Sequence, residues 1–177
     1  MHGVVPHEIG SSSPASALEA QAVLARTWAL ANKNRFAIDG YHLCSDTQCQ
    51  VYKDPSRVSD RIKKAISNTS GQYLSWKEDP IHAVYHASNG GVMASGNEAW
   101  SMASVPYLKA KLDGSKKWVN RFTLPIQKGS ELNSLLNQTD GAYGNFHSRF
   151  RWTRIFSDEQ LGNSLTSFKK LNVLPNQ

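Results

Sequence analysis

One histidine and two cysteines fall within eight residues, His42-Leu-Cys44-Ser-Asp-Thr-Gln-Cys49. An imidazole and two thiolates at that spacing can reach one tetrahedral zinc ion and leave its fourth position to water or another ligand. The same two sulfurs can instead close a small disulfide loop in an oxidising compartment, or remain reduced in the core. The spacing fits all three states. A second candidate is Glu8, an acid set between Pro6 and the start of a strong helix signal, among apolar and small residues. A carboxyl group in such surroundings resists ionisation and keeps a proton to donate near neutrality, which is what a general acid needs. His82 and His86 have the i, i+4 spacing of a helical zinc pair, but the glutamate that follows the first histidine in zinc proteases is absent, so they read as two histidines with unrelated roles. Ser88-Asn89-Gly90-Gly91 lacks the Gly-Lys-Ser/Thr that would complete a nucleotide loop and reads as a tight turn bringing backbone close to a ligand or a neighbouring strand. No Gly-x-Ser-x-Gly elbow occurs.

These residues must be carried by a folded scaffold. At 177 residues, 40% hydrophobic and 19% charged, the chain has the composition of one globular domain over residues 1–177 with a core of its own, and the disordered and collagen-like classes are excluded. Its net charge of +6 is uneven: residues 1–88 hold nine basic and eight acidic side chains, residues 89–177 eleven and six. That favours a polyanion, yet the positive charges are dispersed and no nucleic-acid or nucleotide motif accompanies them. No window approaches the roughly 20 apolar residues of a spanning helix, and the first residues lack the basic-then-apolar pattern of an export signal. An opening apolar run just ahead of a strong helix reads as a fragment of a longer protein or a misassigned start.

The pattern along the chain predicts the elements. Residues 3–5 read as a strand end or apolar turn. Ser13 and Pro14 then open a helix rich in Ala and Leu, with Leu18, Ala22, Ala25 and Ala29 as its buried stripe and Glu19 and Arg26 on another face. Residues 34–53 form a structured loop ending in a short strand, Gln50–Tyr52. A helix over Ser56–Asn68 turns Val58, Ile62, Ala65 and Ile66 inward, and strands follow at Gln72–Trp76 and Ile81–Ala87, the latter with Ile81, Ala83, Tyr85 and Ala87 on one face. Further on come a strand near Tyr107–Leu112, a helix near Glu131–Asn137, a strand Phe150–Phe156 and a helix capped by Ser157. Irregular alternation without repeats predicts an α+β domain, with helices on a mostly antiparallel sheet.

Seven blocks read together, VVPHEI (residues 4–9), ALEAQAVLARTWAL (17–30), CSDTQCQVY (44–52), YHASNGG (85–91), NEAW (97–100), PYL (106–108) and FRWTRIF (150–156), resemble the SpoIID/LytB family of bacterial cell-wall proteins. That family includes sporulation lytic transglycosylases and amidase enhancers. The resemblance spans roughly residues 3–160 and implies a chain clipped at both ends relative to the family. It also implies binding and cleavage of peptidoglycan glycan strands outside the cytoplasmic membrane, in the periplasm or cell wall, with Glu8 as the catalytic acid. Gln21 and Arg26 from the helix block, Gln50 and Tyr52 from the cysteine block, and Ser88 and Asn89 from the glycine block are then the sugar-contacting groups. A structural zinc has precedent in the family, which supports His42, Cys44 and Cys49 as ligands. The enhancer branch implies the alternative: a non-catalytic wall-binding module that stimulates a partner amidase.

Overall fold

In the computed structural model, residues 1–170 are described, and the chain folds as two compact units, one over Met1–Tyr85 and one that begins at His86. The class is α+β: helices with small antiparallel ribbons, each ribbon two residues deep. No helix among the described residues is long and apolar enough to cross a membrane.

The first unit is built on three helices. α1 (Val5–Ile9) replaces the expected strand end: Pro6 stands in its first turn, where its missing N–H costs nothing and its fixed φ suits a helix. α2 (Ala15–Ala31) is the predicted Ala/Leu helix, burying Leu18, Gln21, Ala22, Ala25 and Thr27 at helical spacing. Pro14 occupies its cap position, and Ser13 does not cap it; the Ser13 hydroxyl instead donates to the Ile9 carbonyl at 2.6 Å and closes the turn between α1 and α2. α3 (Asp60–Asn68) begins later than expected because Pro55–Arg57 form a separate 3-10 turn. Its inner face is the predicted one: Ile62 and Ala65 pack with Val5, Leu18 and Ala22, flanked by Val58 and Ile66. Glu19 is tied across to α3, accepting from the Asn68 amide at 2.7 Å.

After α3 the chain turns back over α2. Thr27 is fully buried and its hydroxyl oxygen accepts from the Leu74 N–H at 3.0 Å, which seats the hairpin of β1 (Ser75–Trp76) and β2 (Asp79–Pro80). Lys77 and Glu78 both have positive φ, the backbone a two-residue hairpin loop requires. The expected strand Ile81–Ala87 does not form a ladder. The Ala83 and Val84 amides bond the carbonyls two residues back, curling the segment into consecutive tight turns.

The second unit is organised around Trp118, which is fully buried in α5 (Lys116–Val119). Around it lie Leu112, Leu135, Ala142 and Phe150. The Trp118 ring meets Phe122 edge-on at 4.9 Å, and its Nε1–H donates to the Gly91 carbonyl at 2.8 Å. Gly91 has φ +89°, and a Cβ there would stand 2.6 Å from Cζ2 of Trp118, so the Gly90-Gly91 turn closes because a side chain is absent. β3 (Val92–Met93) pairs antiparallel with β4 (Lys111–Leu112), the remnant of the expected Tyr107–Leu112 strand. Between them, α4 (Gly96–Ala99) carries a reciprocal Ser95–Glu98 cap.

α6 (Gly129–Asn137) matches the predicted helix with an added first turn. Its C-terminal carbonyls are gathered by one guanidinium: Arg151 donates to the carbonyls of Leu135, Leu136 and Gln138, and also to Gly90 and Phe150. The chain at 150–156, expected as a strand, is instead an irregular segment pinned at Arg151 and without a ladder partner. α7 (Asp158–Lys170) starts as predicted. Gln160 N–H donates to the Ser157 hydroxyl oxygen at 3.2 Å, while Ser157 N–H donates to Gln160 Oε1 at 2.9 Å.

Candidate functional site

α1 is short, but three contacts fix what it presents. The Lys53 N–H donates to the Gly3 carbonyl at 3.0 Å, and Gly3 lies so close to this segment that a Cβ on it would be 2.4 Å from the Lys53 oxygen and 2.7 Å from the Tyr52 ring. One turn later, Glu8 is half-buried and its Oε1 accepts the Val51 N–H at 2.7 Å. The carboxylate is thus oriented by a main-chain amide from a segment distant in sequence. Gly3→Ala should push the two segments apart and lower stability by roughly 1–3 kcal/mol, as overpacking does. A urea midpoint unchanged from the parent's would show that α1 is not held in this way.

Behind Glu8 stand three polar side chains that neighbouring residues bury. Gln50, 5% exposed, donates through Nε2 to the Ala25 carbonyl at 3.2 Å and accepts through Oε1 from the Tyr85 hydroxyl at 2.9 Å. Tyr85 is held well above the ordinary phenol range, first by burial, then by the charge of Glu8 and a hydrogen-bond interaction with it; the Gln21 amide acts in the opposite direction. Tyr85 is therefore a neutral donor at any physiological pH and cannot serve as a base. Gln21 is 5% exposed, and its Nε2 has no hydrogen-bond partner among the described residues. A buried amide donor without an acceptor is costly, and the oxygen it faces is that of Tyr85.

So the first unit brings Glu8, Gln21 and Gln50 together with Tyr85. Tyr85 was not among the site residues expected from sequence, although alternation placed it on a face with Ile81 and Ala83 and it heads the YHASNGG block. Arg26 is employed elsewhere: its Nη1 donates to the carbonyls of Thr69 and Gln72 at 2.8 and 2.6 Å, joining α2 to the turn after α3. Tyr52 is half-exposed against Gly3. Ser88 and Asn89 belong to the second unit. There the Asn89 side-chain oxygen, Oδ1, accepts from Gly91 N–H, and the side-chain nitrogen, Nδ2, donates to the Asp113 carboxylate, both at 2.8 Å. The glycine turn thus brings backbone against the Trp118 ring of α5, rather than against a ligand or a neighbouring strand.

The Cys44 and Cys49 sulfurs are bonded to each other as a disulfide. Each sulfur is spent on the other, and the remaining donor, His42, turns its Nδ1 to the Lys33 carbonyl at 2.7 Å. No group of three or more metal-binding side chains converges among the described residues. In this oxidised arrangement the trio does not fit a zinc ion, and the disulfide reading of the spacing is the one the structure holds. His82 falls in the first unit and His86 opens the second. The non-reduced protein should be two hydrogens lighter by intact mass than its reduced form. It should resist thiol alkylation when denatured and retain no zinc on desalting. Two alkylated cysteines without prior reduction would contradict the pairing.

Comparison with known proteins adds two family matches. Residues 1–76 match the family described as Stage II sporulation protein, SpoIID, and residues 94–177 match a domain of unknown function, DUF8618. The chain is similar to the amidase enhancer of Bacillus subtilis, with 35% identity over 153 residues, 80% of this chain and 21% of that protein. It is also similar to stage II sporulation protein D of the same organism, 28% identical over 123 residues, covering 61% of this chain and 36% of that one. An uncharacterized protein of Brachyspira hyodysenteriae shares 34% identity over 112 residues, 60% of this chain and 29% of its own length. The chain thus spans between about a fifth and about a third of these relatives.

Proposed function

Because residues 1–76 make this chain a member of the SpoIID/LytB family, we propose that it acts outside the cytoplasmic membrane, in the periplasm or cell wall, as a lytic transglycosylase on peptidoglycan glycan strands. The observation that carries the reading is the setting of Glu8: a half-buried carboxylate oriented by the Val51 amide, beside the neutral Tyr85 donor and the partnerless Nε2 of Gln21. One carboxyl group suffices for this reaction. As an acid, Glu8 gives its proton to the glycosidic oxygen while the bond from that oxygen to the muramic C1 breaks. As a base, it then takes the proton of the same sugar's primary hydroxyl, whose oxygen bonds to C1 and closes an anhydro ring. No water is activated, so the second carboxylate of a hydrolase is not required.

Within this reading Gln50 holds Tyr85 in place beside Glu8. The basic second half of the chain favours peptide-stripped strands, whose lactyl carboxylates are exposed. Soluble saccharide released from such strands by the purified chain supports the proposal; strands left intact, with no soluble saccharide, would refute it. Tyr85→Phe removes one donor to Gln50 and should lower turnover about tenfold, a loss of order 1 kcal/mol, with strand binding kept. Unchanged turnover in that variant would remove Tyr85 from the machinery.

A second reading is favoured by the 35% identity to an amidase enhancer: a wall-binding module that stimulates an N-acetylmuramoyl-L-alanine amidase. It requires strand binding with no glycan product, and faster peptide release only when an amidase is added.

A further inference from the structure

We infer that the Cys44–Cys49 disulfide is a positioning device for the Glu8 carboxylate, acting through the residues that directly follow it; the inference rests on the reading of Glu8 as the acid. Cys49 is followed by Gln50, Val51, Tyr52 and Lys53, and each of these makes a defined contact. Gln50 bridges Ala25 and Tyr85, the Val51 N–H holds Glu8 Oε1, the Tyr52 N–H donates to the Ser45 carbonyl at 3.0 Å, and the Lys53 N–H holds Gly3. The segment that orients the carboxylate therefore begins one residue after a covalent anchor and folds back on the loop which that anchor closes.

Little besides the bond holds that loop. Ser45, Asp46, Thr47 and Gln48 are polar and exposed, so apolar packing does not fix them. Their order comes from the Cys49 N–H on the Asp46 carbonyl at 3.1 Å, the Gln48 N–H on the Asp46 carboxylate at 2.9 Å, the Tyr52 N–H on the Ser45 carbonyl, and the ring closure itself. Opening the ring returns conformational freedom to the loop. The helices are held differently: α1, α2 and α3 share the Val5, Leu18, Ala22, Ile62 and Ala65 core, which the loop does not enter. Reduction should thus loosen Val51 and leave α2 intact. A carboxylate that loses its orienting amide is displaced from reacting geometry, which costs rate.

A dithiol such as dithiothreitol supplies the two electrons and two protons that convert the bond to two thiols, and itself becomes a disulfide. The test is amide hydrogen exchange on the ¹⁵N-labelled full chain, oxidised and dithiothreitol-reduced, with strand turnover measured in parallel. The Val51 amide should lose protection at least tenfold on reduction while those of Leu18 and Ala22 keep theirs, and kcat should fall with KM held. A Cys44→Ser, Cys49→Ser double variant should reproduce the reduced behaviour and ignore dithiothreitol. Unchanged Val51 protection would overturn the inference. Equal loss at Leu18 and Ala22 would overturn it too, since the bond would then be a staple of the whole unit. A Val51 response as expected in a chain that releases no saccharide would uphold the positioning role and refute the transglycosylase reading instead.

Discussion

Replacing Glu8 with Gln lowers saccharide release from glycan strands by about 10²–10⁴-fold, the usual worth of a positioned general acid, while strand binding is retained. Binding survives because the carboxamide keeps an oxygen where Oε1 stood, still able to accept the Val51 N–H. The anchor between α1 and the Gln50–Tyr52 segment therefore persists, and the urea midpoint stays close to that of the parent. What the amide cannot do is give up a proton and take it back. Glu8→Ala is the informative contrast, since it removes both the chemistry and the anchor and should lower stability as well. Equal turnover in parent and Glu8→Gln would show that the catalytic proton comes from another group.

Trp118→Ala should cost the second unit about 3–5 kcal/mol, the range for large-to-small changes at fully buried aromatic sites. The Gly91 carbonyl also loses its indole donor, adding roughly 1 kcal/mol. The cavity has little means of collapsing, because the neighbouring backbone is held independently: Gly90 by Arg151, and Ser115 N–H by the Gly141 carbonyl at 2.8 Å. Against a typical total of 5–15 kcal/mol this approaches unfolding of the unit. Amide exchange at Leu112 and Leu135 reads it directly, and Trp118→Phe should lose distinctly less. Protection at those two residues unchanged by the alanine would show that the core does not depend on the indole.

The parts of this protein that were legible in its sequence are those written in side-chain periodicity. α2 and the inner face of α3 follow from apolar spacing, and the start of α7 from Ser157 and Gln160. What sequence hides is contact through the main chain. Arg151 fastens the end of α6 through three carbonyls, and a carbonyl leaves no trace in residue type; the expected Phe150–Phe156 strand is absent, and its second residue is tied to α6 instead. Val4 and Val5 suggested a strand, yet Pro6 in the first turn and burial against α2 and α3 make the segment helical. The site divides similarly. Glu8 was identified through the family blocks, whereas its partner Val51 is a backbone amide and Tyr85 is recognisable only by its neighbours. The cysteine spacing fits a metal or a bridge equally, and the structure holds the bridge. Arg26 reads as a cleft cation, but its hydrogen bonds run to Thr69 and Gln72.

The most direct test of the central claim is mass spectrometry of the saccharides formed when the purified chain is incubated with peptide-stripped glycan strands. Anhydro-muramic ends made by the parent and missing with Glu8→Gln are the predicted result. Hydrated reducing ends, or no product from either protein, would contradict a transglycosylase that works through Glu8.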